Sequence, residues 1–484
     1  MGDVVQDKCA IVVAHSLHDV RNILHDLKSR GREAFGIGAL GLLGIDSVKS
    51  IGTVDDFSLI TFERLLPAPN YSFYMGHGRY ATRGRKEPDK ILQDAHPHVI
   101  GGTKTYQGNH IVTRQSSMSI VHNGQVDKSY ILDLLSNELD LDDIETECDS
   151  ELLLHFYRVF GEEALMKKIL GSYSLAIFDK NRDEAIVMRD RYGIKPLWIG
   201  LKDGKHVVAS EDFAIHNNGG KVLRYTEPGE IVYISRSGGF RTKKVLESER
   251  KYCFFEIIYL QNEDSRGIME KRWALGKALA EEFRPNVDIV TYAPNCAWVA
   301  AKAYAEAIGM PEKYQDVFYK KKEDRSFQHS TAEEREASID TNLYMFDNIN
   351  LRGKRVLIID DSIVRGTVAR RIVELTRQKG GATEVYLASV SPIIGPIIGD
   401  DKHGCEYGVD MPPNPDITND FAIRRYGSVQ GITDAINATN VHYLSQRRMF
   451  EAIKMNPDSS CYHCIGGPKP FQLPQIVSSA SYRE

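Results

Sequence analysis

The sequence predicts two folded halves of different class: an α+β half of short strands, then an α/β half with a doubly wound parallel sheet. In the first half the short apolar runs CAIVVA, SLAIFD, EAIVMRD, PLWIG, HVVAS and EIVYI alternate with turn residues, the pattern of strands joined by tight connections. Beyond Cys253 the period changes: KRWALGKALAEEF reads as helix, VDIVTYAP as strand, AWVAAKAYAEAIG as helix, VLIIDD as strand, VARRIVELTRQK as helix and VYLASVSP as strand. Strands separated by helices need crossover connections, and those give a parallel sheet. Between the halves, residues 236–252 are polar, charged and carry Gly238 and Gly239, so they read as a linker. The chain thus divides into residues 1–8, 9–235, the linker 236–252, 253–450, and an extension over 451–484 that holds two cysteines and little periodicity.

Composition narrows the function classes. The 484 residues are 42% hydrophobic and 26% charged, with a net charge of -5, which fits an ordinary globular protein and gives no argument for nucleic acid or a membrane surface. No apolar run reaches the length of a transmembrane helix, and MGDVVQDK lacks the basic start and apolar stretch of a secretory signal. A cytoplasmic location is expected, where the seven cysteines would be reactive or metal-bound rather than disulfide-paired.

The chemistry of the second half centres on one strand end. VLII runs into two adjacent carboxylates, Asp360 and Asp361. A loop of Ser362, Ile363, Val364, Arg365 and Gly366 follows, and a helical pattern starts at Thr367. Open α/β sheets bind ligands beyond the carboxyl ends of their strands. Backbone N–H groups at a helix start suit a phosphate, and paired carboxylates suit ribose hydroxyls or magnesium reached through water. The combination asks for a phosphorylated sugar, although a two-acid strand end before a turn glycine is by itself weak.

In the first half Cys9 opens the strand CAIVVA, where a cysteine is most often a small buried apolar residue. MGHGRYATRG (75–84) carries Arg79 and Thr82. VHNGQV (121–126) sets Asn123 and Gly124 just past a strand, where a side-chain amide and a backbone N–H can face one oxygen, though Asn-Gly is equally a hairpin turn. TECDSELLLHF (146–156) places Asp149 at a helix start, a position that N-caps also favour. Near the C-terminus Cys461 and Cys464 in CYHC can reach one metal, as a zinc half-site or a redox pair. His463 between them reads as a bystander, and Cys148 and Cys296 as packing residues.

Together and in this order, the first-half motifs resemble the glutaminase domain of the N-terminal-nucleophile amidotransferases over nearly all of residues 9–235. RGREAFGI (30–37), RDRYGIKPLWIG (189–200) and ASED (209–212) extend the likeness. It implies an αββα domain and a propeptide, residues 1–8, whose removal makes Cys9 the N-terminal nucleophile with its own α-amine as base. It also implies that Arg79, Thr82 and Asp149 bind glutamine and that Asn123 and Gly124 form an oxyanion hole. Lys8 and Ala10 depart from the acidic residue and glycine usual around the nucleophile.

DDSIVRGT in turn resembles the signature for phosphoribosylpyrophosphate (PRPP) in type I phosphoribosyltransferases, most closely that of the glutamine PRPP amidotransferases. That resemblance implies PRPP bound by Asp360, Asp361, Ser362, Ile363, Val364, Arg365, Gly366 and Thr367, with Arg325 from a flexible loop and Mg2+ at Asp360 and Asp361. The activity implied is formation of 5-phosphoribosylamine from PRPP and glutamine, the first step of de novo purine synthesis. Purine nucleotide feedback inhibitors and a homo-oligomer are implied as well. Some members hold a 4Fe–4S cluster, and Cys253, Cys405, Cys461 and Cys464 stand at the matching places; by residue type alone zinc is the alternative. The pyrophosphate side departs: YAPNCAW (292–298) lacks the usual loop, DTNLYMFDN (340–348) has no lysine, and Asn262-Glu263 replaces an Arg-Pro pair. Lys320, Lys321 and Lys322 offer positive charge near there instead. These departures leave two alternatives: a paralogue aminating another phosphoribosyl substrate, or a non-catalytic PRPP- or nucleotide-binding regulator.

Overall fold

The computed structural model describes residues 9–67, 71–80, 88–247, 249–294, 296–321, 342–409, 411–415 and 420–471. They fall into two compact units, residues 9–252 with Pro470 and Phe471, and residues 253–469.

The first unit contains strands β1 (Ala10–Ala14), β2 (Ala34–Leu40), β3 (Ile45–Ile51), β4 (Phe73–Arg79), β5 (His98–Ile100), β6 (Thr103–Gln107), β7 (His110–Ser116), β8 (Met118–Val126), β9 (Gly171–Asp179), β10 (Glu184–Arg189), β11 (Trp198–Lys202), β12 (Lys205–Ala209), β13 (Lys221–Tyr225), β14 (Glu230–Ser235) and β15 (Phe240–Lys244). Its helices are α1 (Leu17–Asp26), α2 (Leu59–Leu65), α3 (Pro88–Gln93), α4 (Lys128–Leu135), α5 (Asp149–Lys168) and α6 (Asp212–Asn217). The strands form a nine-stranded sheet, β13-β11-β12-β1-β4-β2-β3-β7-β6, and a six-stranded sheet, β15-β14-β10-β9-β8-β5.

Period-two alternation explains the layers. On β1, Ala10, Val12 and Ala14 pack with Val20 and Ile23 of α1 and Phe62 of α2, while Ile11 and Val13 face the opposite way. On β9, Leu175 and Ile177 pack with Ile131 of α4 and Leu153 and Phe156 of α5, while Ala176 and Phe178 join Ile11 and Val13 in the core between the sheets. Strands buried on both faces are apolar throughout, which is why AIVVA and SLAIFD are legible as runs. The result is the αββα arrangement that the resemblance implies.

One strand lies inside the stretch 236–252: β15 pairs with β14 from Glu230↔Lys244 to Ile234↔Phe240. All five of its residues are exposed, so no burial pattern marks it in the sequence.

The second unit is built on a parallel sheet of Ile289–Tyr292, Arg355–Asp360, Glu384–Ser389 and Asn440–Tyr443, in that spatial order. Helices α7 (Ile268–Glu282) and α8 (Trp298–Ala307) precede and follow its first strand. Tyr314 makes a parallel bridge to Val290 on that strand's other edge, so the chain reverses its direction of winding there. Asp360 ends the strand next to the reversal, the place where doubly wound sheets take their ligands.

One buried ion pair ties the start of the first unit to its core. The Arg30 guanidinium, fully buried, donates from Nε to the Cys9 carbonyl (3.1 Å) and from Nη1 to Glu211 Oε1 (2.6 Å). Removing one partner leaves the other charge buried and unpaired, so Arg30→Met is expected to lower the unfolding free energy by about 3–5 kcal/mol in chemical denaturation.

Candidate functional site

At one end of the stacked sheets the first-half motifs meet. Ala10 pairs with Gly78 across β1 and β4, which sets Cys9 at the sheet end where Arg79 closes β4. His77 Nε2–H donates to the His122 carbonyl at 2.9 Å, joining β4 to β8 at the residue before Asn123. From there His122 Nδ1 reaches Ser150 Oγ (2.9 Å), and Asp149 Oδ2 accepts from the Val126 N–H (3.2 Å). Cys9, Arg79, Asn123, Gly124 and Asp149 are thus held by one connected set of backbone and side-chain bonds.

Asn123 and Gly124 lie inside β8 rather than past its end, opposite Ser174 and Tyr173 of β9. Gly124 has φ 151°, and a Cβ there would sit 1.9 Å from the Ser172 carbonyl oxygen, so only glycine fits. The Asn123 amide is fully buried, and neither its nitrogen nor its oxygen has a hydrogen-bond partner among the described residues. Arg79 gives Nη2 to Asp94 Oδ2 at 3.4 Å, while its buried Nη1 has no hydrogen-bond partner there. An unfilled donor on a planar guanidinium suits a carboxylate. RDRYGIKP braces the fold itself. Arg189 donates to the carbonyls of Lys195, Thr226 and Gly193, and Asp190 accepts from the Tyr192 and Tyr173 N–H groups. Thr82 lies outside the described residues.

In the second unit Asp360 and Asp361 are buried, and Asp361 N–H donates to Asp360 Oδ1 (2.8 Å). Ser362 Oγ–H donates to Asp361 Oδ1 (2.9 Å). Ile363, Val364 and Arg365 continue the loop to Gly366, which takes φ 83° and caps the helix Thr367–Glu374. Left-handed backbone at a helix start favours glycine and turns the first N–H groups of the helix toward the loop. Lys320 and Lys321 are described; Lys322 and Arg325 are not.

Cys253, Cys405, Cys461 and Cys464 gather in this unit. Burial and then the neighbouring Cys405, Cys253 and Cys461 push the Cys464 thiol well above its ordinary range. Thiolate sulfur is the donor type of zinc and iron–sulfur centres. His463 turns elsewhere, with Nδ1 bonded to the Gly467 carbonyl (2.9 Å) and near His403 Nδ1, as expected of a bystander.

Cys148, whose spacing suggests a packing residue, lies close to two histidines. Its sulfur and a ring nitrogen of each of His96 and His98 lie within 4.8 Å of one another. The sequence carries only a faint sign of this, two histidines flanking Pro97 and so sharing one side of an extended segment.

The pattern of the glutamine amidotransferase domain matches residues 101–233. The amidophosphoribosyltransferase of Archaeoglobus fulgidus is 30% identical over 472 residues, covering 93% of this chain and 94% of its own length. That of Bacillus subtilis is 30% identical over 467 residues, covering 93% and 91%. A solved structure of the glutamine PRPP amidotransferase from B. subtilis, complexed with ADP and GMP, superposes with a TM-score of 0.79 at 28% identity, over 97% of this chain and 98% of that one. A structure described as the allosteric regulatory enzyme of purine biosynthesis gives a TM-score of 0.80 at 28% identity over 97% of both chains.

The buried histidines make a pH prediction. Burial lowers His77 from 6.5 to about 3, and lowers His96, His98 and His122 as well. The folded form keeps these rings neutral, while the unfolded chain takes up protons below pH 6.5. Their contribution is therefore complete above that pH and is lost as pH falls toward the folded value, by about 1.4 kcal/mol per pH unit for each ring. The melting temperature is expected to drop steadily from pH 7 to 5, and His77→Gln to reduce that slope by about one proton.

Proposed function

The chain belongs to the amidophosphoribosyltransferase family, and from that premise we propose how its residues divide the reaction between glutamine hydrolysis and transfer to PRPP. The family's activity is the first step of purine biosynthesis, making 5-phosphoribosylamine from glutamine and PRPP.

In this reading residues 1–8 are removed, and the new α-amine of Cys9 takes the thiol proton as sulfur attacks the glutamine amide carbon. Arg79 holds the substrate's α-carboxylate, Asp149 its α-ammonium, and Thr82 completes the pocket. The oxyanion rests on Asn123 Nδ2–H and the Gly124 N–H, donors worth roughly 3 kcal/mol each to the barrier. The carbon–nitrogen bond then breaks, ammonia leaves, and water hydrolyses the thioester to glutamate. The observation that supports this most is the fully buried Asn123 amide without a hydrogen-bond partner in the described residues. Buried amides are satisfied unless a ligand is to satisfy them.

Across the strand end Arg355–Asp360, the carboxylates of Asp360 and Asp361 take the ribose hydroxyls and Ser362–Thr367 takes the 5'-phosphate. Ammonia attacks the anomeric carbon as pyrophosphate departs. The same two carboxylates are hard oxygen donors that fit Mg2+, which when bound neutralises charge on the leaving pyrophosphate. Arg325, Lys320, Lys321 and Lys322 supply positive charge to the pyrophosphate side in this reading.

The donor set of Cys253, Cys405, Cys461 and Cys464 fits a 4Fe–4S cluster, with a structural zinc ion as the alternative; either would tie three distant parts of the second unit together. Purine nucleotide feedback, a homo-oligomer and a cytoplasmic location belong to the same reading. No helix among the described residues is long and apolar enough to cross a membrane.

Two experiments test it. Cys9→Ala should abolish glutamine-dependent phosphoribosylamine formation while leaving activity with high ammonia; loss of both in a folded protein contradicts the division of labour. Anaerobic preparations should contain about four iron and four sulfide per chain; colourless protein with one tight zinc would assign the cysteines to zinc instead.

A further inference from the structure

We propose that His96, His98 and Cys148 form a binding site for a thiophilic divalent cation of the zinc type, distinct from the four-cysteine group. Three independent features point there. The three ligand atoms lie within 4.8 Å of one another. The rings are buried, His96 4% and His98 3% exposed. Both nitrogens of His96 and Nε2 of His98 have no hydrogen-bond partner among the described residues.

Ring packing fixes the orientation of the donors: His96 stacks on His77 with centroids 4.0 Å apart and meets His98 edge-on at 4.8 Å. Zinc takes imidazole nitrogen at about 2.0–2.1 Å and thiolate sulfur at about 2.3 Å, so tetrahedral ligand atoms stand roughly 3.3–3.6 Å apart. Binding forms a metal–sulfur bond and breaks the Cys148 S–H bond, the proton going to water, with no change of oxidation state. Three protein ligands leave a fourth position for water or a substrate group.

Charged groups of both signs surround the site. Asp149 Oδ1 lies 3.8 Å from the Cys148 sulfur. Glu151 accepts from the Glu145 and Thr146 N–H groups. Of the nearby cations, Lys49 is engaged by the carbonyls of Gln93 and Ala95, and Arg79 by Asp94.

Both ends of the site lead toward groups assigned above to glutamine: Asp149 follows Cys148, and Asp94, which stands two residues before His96, accepts from Arg79. A bound cation fixes the spacing of those two groups. This consequence rests on the glutamine-binding reading; the site itself does not.

The test is titration of chelator-treated full-length protein with Co2+, followed by sulfur-to-cobalt charge-transfer absorption, and with Zn2+, followed by thermal unfolding. The expected result is one cobalt equivalent more in the parent than in Cys148→Ser, its share of the absorption lost in that variant, lost or weakened in His98→Leu, and kept in Cys461→Ser, where only cobalt on the four-cysteine group is reduced. Zn2+ in hundredfold excess over its Kd should raise the melting temperature of the parent by a few degrees more than that of Cys148→Ser. Equal absorption in the parent and Cys148→Ser, or loss in Cys461→Ser alone, overturns the site. Should Cys148→Ser not fold, His98→Leu decides by the same two readings. Glutamine hydrolysis on the same samples keeps the two readings apart: hydrolysis without any cobalt at this site leaves the amidotransferase roles standing and removes the metal.

Discussion

Arg30 holds the first unit at the point where its chemistry begins. A guanidinium with no exposure is tolerable only if paired, and this one is paired with Glu211 and with the carbonyl of Cys9. The bond to Cys9 fixes the end of β1, and the residue after Arg30 permits it: a Cβ on Gly31 would meet the Gly78 backbone at 2.3 Å. Arg30, Gly31 and Glu211 thus hold the start of β1, the end of β4 and the β12–α6 connection together. The buried pair contributes specificity of arrangement more than stability, since its desolvation cost offsets most of its attraction.

How far the sequence could be read depended on where burial leaves a signal. Strands covered on both faces, such as Ala10–Ala14, Gly171–Asp179 and Arg355–Asp360, stand out as apolar runs. β15 has no covered face, and a polar strand of five residues is indistinguishable by composition from a linker. Asn123-Gly124 is ambiguous for another reason. Its dipeptide is a turn signal by local propensity, yet the strand passes straight through it because β9 supplies the pairing. The paired carboxylates and the loop after them were legible because a strand end followed by a helix start is a local pattern. The grouping of His96, His98 and Cys148 was not, since it is made by the packing of two segments about fifty residues apart rather than by spacing.

The second unit illustrates the same division between local and distant information. Its switch of winding needs only the order of strands, and that order places Asp360 beside the reversal without any contribution from side chains. The cysteine group needs the tertiary fold, because Cys253, Cys405 and the pair Cys461 and Cys464 come from three separate segments. Their mutual effect on the Cys464 thiol is a measure of that convergence. Three of the four are buried, and in the reading proposed above a bound metal centre is what such a group serves.

The same reasoning applies to the first unit's unsatisfied polar atoms. Among the described residues, Arg79 Nη1, Asp94 Oδ1, both nitrogens of His96, Nε2 of His98 and both polar atoms of Asn123 are buried without a hydrogen-bond partner. Each such atom costs about 1–3 kcal/mol, and apolar residues of similar shape would avoid that cost. Several of these orphans are neighbours: His77 bonds the carbonyl of the residue before Asn123 and stacks on His96, and Arg79 donates to Asp94. In the roles proposed above, a carboxylate, an oxyanion and a cation would be the partners that these buried groups lack within the fold.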